Sequence, residues 1–193
     1  MDARIKAVNF NEAEHTYWYQ GKALHGVTGA IGKLIGKNFP DGIASIELGT
    51  IYGSDVHKDV ENYYNEGRKD ISSEGAKWVI AELEKFRDAC ILDLVKKIEC
   101  EVMVSDFEGT ASKVDVVAWH ESGKATLFDI KTTSKFDRPY CSLQLSVYKR
   151  LFEENYETDV HGMYVLGTKS KRTFRIIEQE SSKVRKILQM NKE

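Results

Sequence analysis

Two short stretches constrain this chain most. Residues 111–119 read A-S-K-V-D-V-V-A-W, and Ala125–Lys131 reads A-T-L-F-D-I-K. Apolar runs of this length, bounded by turn residues, read as buried strands. The short link at 121–123 makes them antiparallel neighbours. Each carries one acid inside the run, Asp115 and Asp129. An ionised carboxylate inside an apolar strand is costly unless it is paired or bound to a cation. Neighbouring strands lie about 4.8 Å apart, so acids on one face of such a pair can share a cation. Lys131 follows Asp129 by two positions and projects to the same side of its strand.

The remaining elements can be placed around this pair. Residues 8–27 read as an antiparallel hairpin, with an aromatic-rich arm at 15–19 and a turn at Gln20-Gly21. Tyr17, Trp18 and Tyr19 offer faces on which bases can stack, but aromatics commonly hold hairpins together, and packing is the expected use of most of them. Thr28 is expected to cap a short helix running to Ile35. Residues 43–65 read as a helix in which Gly49, Gly53, His57 and Glu61 recur every fourth position, so they share one face. Each glycine in a helix interior costs roughly 1 kcal/mol relative to alanine, which a chain tolerates where another backbone or a ligand must come close.

A long amphipathic helix is expected over 75–98. A strand at 100–105 follows and begins a three-stranded meander completed by the two acid-bearing strands. A helix over 140–154 then leads to a strand at Val160–Gly167, another at 171–178 and a short helix at 182–190. The expected fold class is α/β: a mixed central sheet, made of an antiparallel meander plus a crossover helix and further strand, flanked by helices. A single domain is expected, with a hairpin or flap over 1–40, a core over 41–178 and a C-terminal helix over 179–193.

Composition excludes several classes. The chain has 193 residues, 41% of them hydrophobic and 30% charged, which is an ordinary globular balance. The net charge of −2 makes the whole chain no polyanion binder, although an acidic cation site can coexist with local basic residues. No apolar run is long enough to span a bilayer, and no secretory leader is expected. The three cysteines, Cys90, Cys100 and Cys141, lack C-x-x-C spacing, so neither a disulfide scaffold nor a four-cysteine metal site is expected.

The triplet Asp129-Ile130-Lys131 occurs by chance too readily to mean much alone. Its setting is more specific. Hard oxygen ligands on adjacent strands suit Mg²⁺ or Mn²⁺, and a lysine beside such an ion can orient an attacking water or stabilise developing charge. The combination of Asp115, Asp129-Ile130-Lys131, the histidine-bearing helix G-T-I-Y-G-S-D-V-H-K-D-V-E and Gln144-Leu145-Ser146-Val147-Tyr148 resembles the PD-(D/E)XK nuclease superfamily, in particular its RecB-like exonuclease branch. The opening H-T-Y-W-Y-Q-G-K-A-L-H-G-V-T resembles small phage-type members of that branch.

The resemblance implies a restriction-endonuclease-like core and metal-dependent DNA cleavage, most readily by an exonuclease. It implies one or two Mg²⁺ or Mn²⁺ ions held by His57, Asp115, Asp129 and the main-chain carbonyl of Ile130, with Lys131 as the catalytic lysine beside Asp115 and Asp129. Glu101 and Glu61 are second-tier candidates for contact with the ion. Gln144 and Tyr148, one turn apart, are expected to approach the substrate, and Thr132, Thr133, Lys135 and Arg138 to touch phosphates. DNA is the implied partner, together with a single-strand annealing or other recombination protein, in the cytoplasm of a bacterium or phage-infected cell. The iron–sulfur cluster of some relatives has no counterpart here, and Lys113 stands where many relatives keep a small residue. An endonuclease on the same core and a non-catalytic nucleic-acid-binding subunit are the alternatives.

Overall fold

The computed structural model describes residues 1–11, 14, 16–36, 44–134 and 137–192, with residues 44–52 described by their backbone. His15 and Lys135 lie outside the described residues. After a 3-10 turn at Ala3–Ala7, the strands β1 (Asn9–Asn11), β2 (Thr16–Tyr19) and β3 (Lys22–Leu24) form a small antiparallel sheet. The expected hairpin is therefore its β2–β3 half, and β1 adds a third strand. Helix α1 covers Val27–Leu34. Its N-cap is Gly26, so Thr28 lies inside the helix rather than capping it.

Helix α2 covers Ala44–Asn65 and α3 covers Glu74–Ala89. Ser73 caps α3 by accepting from the Ala76 N–H at 3.4 Å. The helix expected to reach residue 98 stops at Ala89, because Val95 already belongs to strand β4 (Val95–Ser105). Of the residues that extend the apparent helical stripe, Leu94 is 58% exposed and Val95 is already paired with His120. Asp93 holds this turn by accepting from the Ser122 N–H at 3.0 Å and from the Ser122 hydroxyl at 2.7 Å.

Strands β5 (Ala111–His120) and β6 (Ala125–Lys131) complete the meander, and α4 (Arg138–Tyr156) crosses over to β7 (Val160–Gly167), which pairs with β6 in parallel. Strand β8 (Arg172–Arg175) and helix α5 (Ser181–Met190) end the described fold. The five-stranded sheet has the order β4-β5-β6-β7-β8 and is mixed, as expected from the short β links and the single helical crossover. Among the described residues no helix is long and apolar enough to cross a membrane.

The sheet has a core on each face. One packs α1, α4 and α5 against residues such as Leu127, Val117 and Val165, and the other packs α2 and α3 against Val116, Phe128 and Ile130. Phe128 is almost completely buried, with Phe86 at 5.0 Å and Tyr164 at 5.5 Å between ring centroids. Burying a side chain of this size contributes about 2–3 kcal/mol. The small sheet is tied to the same body, because Tyr17 and Leu24 share an apolar cluster with Ile5, Val8 and Ala111.

Strands β4 and β5 share one irregularity. Residues two apart on a strand normally share a face. Here Ile98 and Cys100 belong to the α2–α3 core, yet Val102 and Val104 belong to the α4 core. Glu101, between them, has φ of 56°, a left-handed conformation that reverses the alternation. Strand β5 makes the matching exchange: Val116 and Ala118 lie in one core and Val114 in the other. Pairing resumes on either side, Cys100 with Val116 and Val102 with Val114, so Glu101 and Asp115 stand opposite each other where both strands change faces.

Candidate metal centre

His57 from α2, Glu101 from β4 and Asp115 from β5 converge. One ligand atom from each lies within 4.8 Å of the other two, and among the described residues these are the acids and histidine so grouped. His57 Nδ1 is 3.8 Å from Glu101 Oε1 and 3.8 Å from Asp115 Oδ1. Glu101, a second-tier candidate from the sequence, therefore stands with His57 and Asp115 in the tight group. The other second-tier acid, Glu61, pairs with Lys58 at 3.1 Å and is outside it.

Strands β5 and β6 separate at this point. Their paired residues run from Trp119↔Ala125 to Val116↔Phe128 and stop, while β6 continues along β7 to Lys131↔Gly167. In place of the next rung, the Ile130 N–H donates to Asp115 Oδ2 at 2.7 Å. The N–H and C=O of one strand residue point the same way, so the Ile130 carbonyl also faces the β5 side.

Asp129 lies beside this group rather than within it. It is 1% exposed, and its Oδ1 accepts from Lys131 Nζ at 2.9 Å. Its Oδ2 is buried without a hydrogen-bond partner. Leaving a buried carboxylate oxygen unpaired is expensive, and such an atom calls for a positive ligand. Together with the oxygens of Glu101 and Asp115 and the imidazole of His57, it forms an oxygen-rich donor set of the kind that suits Mg²⁺ or Mn²⁺. The residues present thus fit a divalent cation.

The electrostatics agree. Burial, with Asp129 and Glu101 close by, pushes the Asp115 carboxyl up to about 7, against the pull of His57 and Lys131. Burial opposes the charged form of His57, but Asp115 and Glu101 outweigh it and raise the imidazole to about 9. Burial likewise disfavours the Lys131 ammonium, and Asp129 and Asp115 overcome it, holding the amine protonated well above the ordinary lysine value. Glu101 is held below the ordinary carboxylate range because His57 and Lys113 together outweigh its burial. The carboxylates thus keep the protons on His57 and Lys131 despite burial.

Lys131 is fixed from a second direction. Its Nζ donates to Gln144 Oε1 at 3.1 Å, the Gln144 amide donates to the Tyr148 hydroxyl at 2.9 Å, and the Ser112 hydroxyl reaches the same oxygen at 3.0 Å. Gln144 is 7% and Tyr148 4% exposed. The expected one-turn pairing of these residues is present, but they face the interior and hold Lys131, where an approach to substrate was expected of them. The Gly53 face of α2 meets the residue after β6: a Cβ on Gly53 would stand 3.0 Å from Thr132 Oγ1. Thr132 is half-buried and Thr133 exposed. Arg138 opens α4 with its guanidinium 4.8 Å above the Phe174 ring, directed at β8. Sequence reasoning missed Ser112 entirely. It placed Glu101 second, although the register of apolar partners, Cys100 with Val116 and Val102 with Val114, sets Glu101 directly across from Asp115.

No family model and no curated protein matches this chain. Among solved structures it is similar to a protein from Eubacterium rectale named "Putative exonuclease", at 13% sequence identity and a TM-score of 0.43, over 88% of this chain and 77% of that one.

Proposed function

We propose that this chain is a Mg²⁺- or Mn²⁺-dependent deoxyribonuclease, and specifically an exonuclease. The observation that carries the reading is Asp129: a buried carboxylate with one oxygen on Lys131 and the other unpartnered, beside His57, Glu101 and Asp115. The resemblance of the same residues to RecB-like nucleases supports DNA as the substrate. His57, Glu101, Asp115, Asp129 and the Ile130 carbonyl would hold the ion. When bound, the ion would polarise the scissile phosphodiester and make water a better nucleophile.

The chain's own residues do the rest. Lys131, protonated and held between Asp129 and Gln144, presents an ammonium group to the reacting phosphate and orients the attacking water. The Gln144–Tyr148–Ser112 chain keeps that ammonium from swinging away. Thr132 and Thr133, at the exit of β6, would contact the phosphate backbone. In-line attack leaves a 3′-hydroxyl and a 5′-phosphate, as the resemblance implies.

The test is digestion of end-labelled linear DNA, single- and double-stranded, with Mg²⁺ or Mn²⁺, and with circular single-stranded DNA as control. Linear DNA should be degraded from its ends and circular DNA spared. Asp115→Asn and Lys131→Ala should each reduce cleavage by about 100-fold or more. Cut circles would replace the exonuclease with an endonuclease, and cleavage undiminished in both variants would remove the site from the mechanism.

A further inference from the structure

The oxygens of the three acids divide into two sets. Glu101 directs Oε1 toward His57 and Oε2 toward Lys113, whose Nζ is 3.7 Å away. Asp115 directs Oδ1 toward His57 and accepts the Ile130 N–H on Oδ2. Asp129 keeps Oδ1 on Lys131 and leaves Oδ2 without a partner. Each acid thus has one oxygen beside a lysine or a main-chain N–H and one that is open to an ion: those of Glu101 and Asp115 face His57, itself a proposed ligand that would give up its proton to the ion, and that of Asp129 has no partner. The three open oxygens and the imidazole supply four donors, enough to anchor one Mg²⁺ or Mn²⁺, which completes its shell with water and substrate oxygens.

A second ion would have to share one of the engaged oxygens. Asp129 Oδ1 and Glu101 Oε2 each already face an ammonium, so an ion there would be repelled at close range. Lys131 belongs to the proposed chemistry. Lys113 does not. Its position is also built. The Lys113 side chain is 25% exposed, and its Nζ lies 4.2 Å above the ring of Phe10, which packs tilted against Tyr17 at 4.8 Å. The ammonium is therefore held between the small sheet and Glu101 by an aromatic face and a carboxylate.

From this we propose that Lys113 is a positioning residue that orients Glu101 and restricts the centre to a single divalent cation. The proposal rests on the metal-centre reading above, and the two fail in different ways. The measurement is calorimetric titration of Mn²⁺ into the ion-free protein without DNA, with the number of bound ions checked by the paramagnetic signal of free Mn²⁺. The unsubstituted protein should bind one ion. Lys113→Met should bind two, because Glu101 Oε2 is released and the neighbouring charge is gone, whereas Lys113→Arg, which keeps the charge, should bind one. His57→Ala and Asp115→Asn should lose the saturable site, with folding checked by circular dichroism; His57 is 30% exposed, so its truncation serves if the Asp115 variant is unstable. Two ions on the unsubstituted protein, or one ion on Lys113→Met, would overturn the role of Lys113 and leave the centre standing. Binding unchanged in both His57→Ala and Asp115→Asn, or no saturable binding at all, would overturn the centre and this proposal with it.

Discussion

At the scale of single residues, the decisive relation is between Asp129 and Lys131. Asp129 is 1% exposed, and Lys131 Nζ, 2.9 Å away, is the cation on its Oδ1. Removing one partner of a buried pair strands the other, at a typical cost of about 3–5 kcal/mol. Lys131 is partly exposed, with 22% of its side chain reaching solvent, which places the cost of Lys131→Ala at the low end, about 3 kcal/mol. A bound divalent cation would restore positive charge beside Asp129. Mn²⁺ should therefore raise the melting temperature of Lys131→Ala more than that of the unsubstituted protein, when each is compared with its value in chelator. Equal shifts in the two proteins would mean that no ion reaches Asp129. This relation was legible in the sequence, because two acids in apolar strands and a lysine two positions on leave few other uses. Glu101 was legible only as a second-tier candidate, on a par with Glu61, because its place opposite Asp115 was not. It depends on a left-handed backbone conformation that no residue type at that position announces, since glutamate has no special tolerance for positive φ.

At the scale of elements, the strands were readable because their alternation and turns are local. Ala125–Lys131 and Val160–Gly167 have the expected bounds. The end of α3 was not, because Cys90, Leu94 and Val95 continue the apolar helical period of Leu83 and Phe86; only pairing of Val95 with His120 shows that the chain has already become a strand. The bare face of α2 was readable as a close approach, and its partner is Thr132. That contact makes a prediction. Gly53→Ala gains about 1 kcal/mol of helix propensity, but its Cβ would stand 3.0 Å from Thr132 Oγ1, and overpacking costs about 1–3 kcal/mol. The substitution should be destabilising by about 1 kcal/mol in the unsubstituted background. In a Thr132→Ala background the same change should be stabilising, because the obstructing hydroxyl is gone. Urea unfolding of the four proteins gives the coupling directly. An identical effect of Gly53→Ala in both backgrounds would show that the glycine is not kept for Thr132.

At the scale of the whole molecule, the question is whether the small sheet, the metal-bearing sheet and the C-terminal helix form one cooperative unit, as a single domain of this length should. They meet at the β4–β5 turn. Asp106 Oδ1 accepts from the N–H groups of Glu108, Gly109 and Thr110 at 3.0, 2.9 and 2.8 Å, which fixes the turn. His25, just beyond the small sheet, donates its N–H to the Gly109 carbonyl at 2.8 Å and accepts from the Ala111 N–H at 3.1 Å. Asn191, just after α5, donates to Thr110 Oγ1 at 3.1 Å, and Lys192 pairs with Glu108. Gly109 is where these parts press closest: a Cβ there would lie 2.5 Å from the Asn191 carbonyl oxygen and 2.7 Å from its carbon, both main-chain atoms that cannot rotate aside. Gly109→Ala must displace the segment after α5 or the turn itself, at about 1–3 kcal/mol. For a chain of this size each kcal/mol corresponds to about 2–4 °C, so the melting temperature should fall by several degrees. If the parts form one unit, the fall appears as a shift of a single transition, with the same midpoint by near-ultraviolet and far-ultraviolet dichroism. DNA cleavage per folded molecule should stay unchanged, since no proposed ligand is moved. Two transitions, of which only one responds to Gly109→Ala, would divide the chain into separately folding parts and assign the C-terminal helix to the part that moves.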